Sequence, residues 1–210
     1  MDGTERNGTA ARTIRPGVTL ALVERRRAAD DAPPPRAHAA RQSTRVLTTV
    51  LFTDVVDSTG HAIALGDERW LALLERHEAM VRAEIRRAGG RPVAAAGDGM
   101  VATFDGAAAA VRCATRIARL SRSSFGLEVR CGLHCGEYER RGSRVGGIVF
   151  HVAARVLHLA APGEVLVSET LKQLTAGSTL HFRARGRRTL RGLQGLWPIF
   201  GVTDGGDAAR

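Results

Sequence analysis

The sequence has no run of apolar residues that approaches the roughly 20 needed for a membrane-spanning helix. Its first ten residues, MDGTERNGTA, carry charges where a secretory signal peptide would carry an apolar segment. These two absences predict a cytoplasmic protein with no membrane partner.

Cysteine is scarce as well. The three cysteines, Cys113, Cys131 and Cys135, are odd in number and lack the second pair that would complete a zinc site. We therefore expect reduced thiols in packed positions.

Lysine and the aromatic residues are the other shortages. Of 31 basic residues only Lys172 is a lysine, and the net charge is +10. This balance fits binding to nucleic acid or another polyanion, but it also fits an arginine-rich composition that leaves a solvated basic surface. Because aromatic residues make up 4% of the chain, it offers no stacking platform for nucleic acid, which we do not expect as a partner.

What the sequence does contain is a central region with clear periodic patterns. Residues 1–44 predict a disordered basic extension, because they carry the run PPP at 33–35 and little periodic apolar pattern, although a short helix over 19–29 is compatible with the residues there. Residues 204–210 predict a loose tail. Residues 45–203 should hold the one domain, and a hydrophobic content of 44% is enough for its core.

Two periodicities alternate in the central region. Residues 67–88 carry mostly apolar side chains at spacings of three and four, which is typical of an amphipathic helix. Gly97-Asp98-Gly99, between two short apolar runs, indicates a tight hairpin. The order strand, helix, strand, strand, helix, strand is the split βαβ pattern of ferredoxin-like sheets, so the predicted fold class is α/β (α+β) with extra C-terminal strands. The predicted elements are strands at 46–55, 92–96, 100–104 and 127–135, helices at 67–88, 105–120 (capped by Asp105) and 148–160, and later strands at 164–167 and towards Phe182, Leu190 and Phe200.

The stretch LFTDVVDSTG at 51–60 ends the first strand in a carboxylate. In a split βαβ sheet the first and third strands are antiparallel neighbours about 5 Å apart, so Asp54 should lie beside Asp98 in the turn before the third strand. Two carboxylates so close repel each other unless a cation lies between them, which predicts Mg²⁺ or Mn²⁺ held by these oxygens and a substrate phosphate. Gly97 and Gly99 would leave room for that phosphate to approach the backbone. The alternative is that both aspartates are turn residues with purely local roles.

Four segments of the chain together carry a resemblance to a known family. They are TVLFTDVVDST, AAAGDGMVATFDG, VRCGLHCGE and VGGIVFHVAARVLHLAAPGEVLVS. In this order and spacing they resemble the catalytic domain of bacterial class III adenylate/guanylate cyclases, over roughly residues 45–202. The resemblance implies conversion of a nucleoside triphosphate into a 3′,5′-cyclic nucleotide and pyrophosphate. It also implies a head-to-tail homodimer with active sites at the interface.

The resemblance assigns roles to individual residues. Asp54 and Asp98 match the two metal-binding aspartates of the family, and the Val55 carbonyl would complete the protein ligands of two Mg²⁺ or Mn²⁺ ions per site. Arg155 matches the arginine that the partner chain contributes to stabilise the transition-state phosphate. Arg191 lies where the family places a basic residue for the terminal phosphates.

The predicted helix at 148–160 has two kinds of face. His151, Arg155 and His158 recur at spacings of four and three and so share one face, which is a catalytic face by the resemblance and a solvated polar stripe without it. The apolar face is formed by Ile148, Val152, Val156 and Leu159.

Base recognition departs from the family pattern. Ala94 stands where adenylate cyclases have a lysine, and Arg144 stands where they have the aspartate that accepts from the adenine amino group. Arginine is a donor only, so Arg144 cannot accept from adenine, although it could donate to a carbonyl such as that of guanine. ATP and GTP both remain candidate substrates.

Two further positions depart from the family. His151 replaces the asparagine that orients the ribose, and a neutral imidazole still offers one donor and one acceptor. Asp57 replaces a glycine in the phosphate-approach loop and would add a negative charge there. Its alternative role is that of a helix N-cap for the segment after it.

Two functional hypotheses follow. The first is a working cyclase for signal transduction with relaxed or unusual base choice. The second is a catalytically weak or inactive cyclase-like domain that regulates through dimerisation. Retention of Asp54, Asp98 and Arg155 favours the first hypothesis.

Overall fold

The computed structural model describes residues 44–141 and 144–203. The backbone alone is described at residues 44, 96, 140, 141 and 144–146. The predicted N-terminal extension, apart from Thr44, and the predicted tail at 204–210 lie outside the described residues.

The described residues form eight strands and five helices. In chain order these are β1 (Thr44–Val55), α1 (Ser58–Leu65), α2 (Asp67–Arg87), β2 (Arg91–Ala96), β3 (Gly99–Phe104), α3 (Ala107–Phe125), β4 (Val129–Arg141), β5 (Arg144–Gly146), α4 (Ile148–Leu157), β6 (Val165–Ser168), α5 (Glu169–Leu174), β7 (His181–Arg188) and β8 (Trp197–Thr203).

All eight strands belong to one sheet. Its order is β2-β3-β1-β4-β6-β8-β7, and the short β5 pairs with the far end of β4. β1 is antiparallel to both β3 and β4, which is the ferredoxin-like arrangement, and β4 is parallel to β6. The predicted fold class, including the extra C-terminal strands, is therefore confirmed.

The middle of β1, residues 48–53, is buried on both faces of the sheet. Leu51 joins a core cluster that includes Ile117 of α3, whereas Val50 joins a cluster that includes Phe150 of α4. Successive strand residues point to opposite faces, so the two neighbours serve two different cores. Each such side chain contributes about 1.5–3 kcal/mol by its burial. These cores fix the position of the strand end that carries Asp54.

The predicted N-cap of the helix at 105–120, which is α3 in the structure, is wrong. α3 begins after Gly106, while Asp105 is exposed and pairs with Arg91, whose Nη2 lies 2.5 Å from Asp105 Oδ1. The helix also continues to Phe125 and ends at Gly126, whose φ of 66° is the left-handed conformation that suits a helix C-terminus. The Asp105 carboxylate thus forms an ion pair with Arg91 and does not cap α3.

Three other sequence expectations need correction. Leu190 lies outside the strands and is buried, 2% exposed, in a cluster with Val152 and Val156. In the helix predicted at 148–160, Ile148 is 58% exposed and Leu159, which lies beyond the end of α4, is 37% exposed, so the predicted apolar face is only half buried. β4 runs six residues beyond its predicted end at 135, to Arg141, because it pairs with β1 along its whole length and then with β5.

The cysteine prediction is confirmed. Cys113, Cys131 and Cys135 are free and buried, and all three belong to the core cluster under α2 and α3. Among the helices of the described residues, none is long and apolar enough to cross a membrane.

Candidate functional site

Asp54 lies one residue before the end of β1, opposite Arg130 in the β1–β4 ladder. Arg130 donates to Asp54 Oδ2 from Nε at 2.8 Å and from Nη2 at 2.5 Å. The Asp54 and Arg130 side chains are 25% and 32% exposed, so water screens the pair only in part. Arg130 is therefore an internal cation for Asp54.

The sequence interpretation missed Arg130. The signal was present, because Arg130 is one of only two charged residues in the predicted strand at 127–135. Finding its partner, however, requires the β1–β4 register, which the sequence pattern does not fix to the residue.

Asp98 occupies the turn between β2 and β3, where Ala96 pairs with Gly99. Its carboxyl is half-buried, and burial raises its pKa. The Ser58 hydroxyl lowers the pKa by hydrogen bonding, and the neighbouring Asp54 raises it both as a charge and as a hydrogen-bonding group. The structure therefore brings the two carboxylates together, as the strand order predicted.

The two glycines of the turn have different roles. Gly97 has a φ of 66° and open space where a side chain would point, so it permits the turn and leaves its outer side accessible. At Gly99, an added Cβ would lie 2.1 Å from the Thr53 carbonyl oxygen. Gly99 therefore allows β3 to pack closely against β1, and only Gly97 offers the room that we expected at both positions.

Asp57 is the N-cap of α1. Its backbone is left-handed, with φ 55° and ψ 39°, and its Oδ1 accepts from the Gly60 N–H at 3.3 Å. A Cβ at Gly60 would lie 2.3 Å from Asp57 Oδ2, so a larger residue there would displace the capping carboxylate. The structure supports the capping alternative for Asp57, and the carboxylate turns back onto its own helix.

Arg155 and Arg191 are brought together in a second part of the fold. Arg155, on α4, donates from Nε to the Arg191 carbonyl at 3.2 Å. The loop that carries Arg191 is held by the preceding Leu190, which packs against Val152 and Val156 of α4. Among the described residues, no hydrogen bond or ion pair joins either arginine to Asp54 or Asp98.

The remaining predicted residues lie on three elements. His151 and His158 are exposed at α4 and its C-cap, on the same side as Arg155. Ala94 is half-buried in β2, opposite Val101 and next to a β-bulge. Arg144 begins β5 and pairs through its backbone with Arg141, and the structure describes only the backbone at this position.

The donor set at the acid pair suits a hard divalent cation. Carboxylate oxygens are preferred ligands of Mg²⁺ and Mn²⁺, and Asp54 and Asp98 bring two carboxylates side by side. In the described part of the chain there is no group of three or more His, Cys, Asp and Glu side chains that could hold a metal ion, so the acid pair offers two carboxylates and no third ligand of this kind. The mutual repulsion of the two carboxylates and the use of a guanidinium to balance Asp54 both indicate a place for positive charge.

Comparison with curated proteins gives relatives without an assigned function. An uncharacterised protein of Mycobacterium tuberculosis is 32% identical over 150 residues, covering 69% of this chain and 52% of its own length. An uncharacterised protein of Rhizobium meliloti is 30% identical over 206 residues, covering 87% of this chain and 20% of its own length. The chain thus spans about half or less of the relatives it matches. No family model matches it.

Solved structures define the fold. The adenylyl cyclase CyaB from P. aeruginosa superposes with a TM-score of 0.69 and 22% identity, covering 78% of this chain and 96% of the other. The catalytic core of a rhodopsin-guanylyl cyclase with converted specificity, in complex with ATPαS, gives a TM-score of 0.71 and 19% identity, covering 77% and 98%. The chain has the fold of nucleotidyl cyclase catalytic domains.

Proposed function

We propose that this chain is a nucleotidyl cyclase, which forms a 3′,5′-cyclic nucleotide and pyrophosphate from a nucleoside triphosphate, with residues 45–203 as its catalytic domain. The observation that carries the proposal is the placement of Asp54 beside Asp98 at the end of β1 in a cyclase fold. The product would serve intracellular signal transduction.

Asp54, Asp98 and the Val55 carbonyl would hold two Mg²⁺ or Mn²⁺ ions per site. Bound there, these ions would activate the ribose 3′-hydroxyl and neutralise the polyphosphate. The contribution of the chain is a fixed separation of the oxygen ligands, because Gly99 packs directly on the Thr53 carbonyl and holds the turn against β1. Arg130 balances the Asp54 charge in the free protein.

Arg155 would stabilise the transition-state phosphate from the partner chain of a homodimer. Its bond to the Arg191 carbonyl uses Nε, and among the described residues its two Nη groups make no hydrogen bond. They would donate to phosphate oxygens, with Arg191 nearby for the terminal phosphates and His151 for the ribose. Exposed apolar residues support an interface: Ile148, on the helix of Arg155, is 58% exposed, and Ile63 is 81% exposed.

Base choice is the part of the function that differs most from the family pattern. Ala94 has no polar side chain, and Arg144 would present donors only, so adenine would find no acceptor for its amino group. The fold is shared by adenylyl and guanylyl cyclases and does not decide the matter. We propose GTP as a substrate at least as good as ATP.

The first test is direct detection of product. Purified protein would receive Mn²⁺ with ATP or GTP, and mass spectrometry would identify cyclic nucleotides. We expect cyclic product from wild type and from the surface control Asp105→Asn, but none from Asp54→Asn. If the wild-type protein is folded, dimeric and loaded with Mn²⁺ but forms no product, the regulatory dimerisation domain becomes the better proposal.

The second test addresses the composite site. Asp54→Ala and Arg155→Ala would each be inactive, but a heterodimer of the two keeps one intact site. Mixing them should therefore restore part of the activity. Verified heterodimers without activity would contradict a site built from both chains.

A further inference from the structure

A groove of about 960 Å³ lies between α3 and the edge strand β7, with residues 161–165 between them. None of the residues proposed above for cyclase chemistry lines it. Its walls carry six arginines, which are Arg112, Arg116, Arg119, Arg122, Arg183 and Arg185.

Secondary structure places these arginines in two facing rows. The four on α3 recur at spacings of four, three and three, which puts them on one helix face. Arg183 and Arg185 alternate on β7 together with His181 and so project from one face of the strand. The basic groove, defined by these two rows, is therefore built from regular elements.

Half of the arginines are already neutralised. Arg116 Nε lies 2.6 Å from Glu84, Arg122 Nε lies 2.6 Å from Glu128, and Arg185 Nε lies 2.7 Å from Glu164. Each acid also makes a second contact. Glu84 also pairs with Arg87, Glu128 accepts from both Nε and Nη2 of Arg122, and Glu164 also accepts from the Ala161 N–H.

The other half have no partner in the part of the chain that the structure describes. Arg112, Arg119 and Arg183 are exposed and, within the described residues, form no hydrogen bond or ion pair. The three acids at the groove are each paired with one of the other arginines. Within the part of the chain that the structure describes, the groove therefore retains three uncompensated guanidinium groups across its two walls.

We propose that the basic groove binds a small compound with two or more linked phosphate groups, either a nucleotide or an inorganic oligophosphate. Three planar N–H forks on two walls match the several negative charges and repeated oxygen pairs of such a chain. The volume lies within the range of small-molecule sites. The groove has no Phe, Tyr or Trp side chain in its lining, so recognition is of phosphate rather than of a stacked base.

The test uses inorganic triphosphate and isothermal titration calorimetry, with EDTA present to prevent metal-dependent binding at the acid pair. Wild type should bind one equivalent, and the triple variant Arg112→Gln, Arg119→Gln, Arg183→Gln should bind about tenfold or more weakly. A matched control, Arg69→Gln, Arg86→Gln, Arg188→Gln, removes the same charge elsewhere and should bind like wild type. Equal weakening in both triple variants would overturn the proposal, because it would show an effect of net charge alone.

Two further arms identify the site and the ligand. A variant that combines Arg155→Ala with Arg191→Ala should bind triphosphate like wild type. If this variant loses triphosphate binding, triphosphate binds at the proposed catalytic site and the proposal is overturned. ATP that binds more tightly than inorganic triphosphate would identify a nucleotide, and equal affinity would identify the phosphate chain alone. Failure of triphosphate to bind wild type, with tight binding of a duplex oligonucleotide, would also overturn the proposal in favour of nucleic acid.

Discussion

Around Asp54 one arginine faces two carboxylates, whereas in the basic groove three carboxylates face six arginines. Both regions contain ion pairs between arginine and a carboxylate, and each keeps unpaired charge. The sign of that unpaired charge differs between the two regions. At the acid pair the surplus is negative and confined to the end of β1 and the adjoining β2–β3 turn, which suits a small cation. In the groove the surplus is positive and spread over a helix and a strand, which suits an extended anion. The comparison shows that the uncompensated part of each cluster indicates the ligand better than the overall charge of +10 does.

The largest effect should come from removing the negative surplus. Asp98→Asn, like Asp54→Asn, should lower cyclase activity by about a hundredfold or more, since metal-assisted charge stabilisation is worth several kcal/mol. It should also abolish the rise in melting temperature that Mn²⁺ with a triphosphate gives wild type. Differential scanning fluorimetry measures the latter without catalysis. An unchanged thermal response in a variant that combines Asp54→Asn with Asp98→Asn would show that the acids do not hold the metal.

A buried histidine outside both regions shows how strongly burial disfavours a charged side chain in this fold. His134 on β4 is 6% exposed, bonds Ser168 Oγ through Nδ1 at 2.7 Å, and burial lowers its pKa from 6.5 to about 4. The unfolded chain therefore binds the proton first as pH falls, so the stabilising contribution is complete above pH 6.5 and is lost towards pH 4.

The expected loss of unfolding free energy over this window is about 3 kcal/mol. Urea denaturation at several pH values measures it, and His134→Gln should flatten the slope. A slope that is the same in both proteins would assign the pH dependence to other groups, such as His77, whose pKa burial also lowers.

Introducing the lysine and aspartate that the resemblance assigns to base recognition in adenylate cyclases tests the proposed site from the substrate side. Ala94→Lys with Arg144→Asp should shift the preference from GTP towards ATP by about tenfold, since each recovered polar contact is worth about 0.5–1.5 kcal/mol. The ratio of kcat/KM for the two nucleotides is the measurement. Arg141→Asp alone, a nearby change of the same kind, should leave the ratio unchanged. A double variant with the wild-type ratio would remove these positions from base recognition.

The smallest effect concerns the internal cation. Arg130→Gln should raise the affinity of the acid pair for Mn²⁺ by about fivefold, because a partly exposed ion pair contributes about 1 kcal/mol and competes with the metal. Electron paramagnetic resonance of free Mn²⁺ without nucleotide reports this directly. A weaker affinity would mean that Arg130 orients Asp54 for the ion instead of competing with it.

Local chemistry explains which features the sequence predicted. The β1 strand, the Gly97-Asp98 turn and the α2 helix follow from apolar periodicity and turn residues, and their order was enough to bring Asp54 to Asp98. The N-cap at Gly106 was missed because Asp105 pairs with Arg91, which lies on β2. The pairing of Arg130 with Asp54 was missed because the sequence does not fix the register between β1 and β4.

The basic groove could not be predicted because it depends on packing. Arg112 and Arg183 are 71 positions apart in the chain and face each other only once β6 and β8 have been placed between β4 and β7. The sequence shows how many arginines the chain has, but it does not show which of them have no partner in the folded chain.

The three buried thiols give the protein a practical property. Only the thiolate reacts with maleimides or disulfides, and burial raises the pKa of Cys113 to about 12 and also raises the pKa values of Cys131 and Cys135. At neutral pH about one Cys113 thiol in 100,000 is ionised. A cysteine introduced at an exposed position, such as Arg183→Cys at the groove or Ile63→Cys on α1, should therefore take a fluorophore selectively in the otherwise native chain. Ligand arrival at each region could then be followed one site at a time.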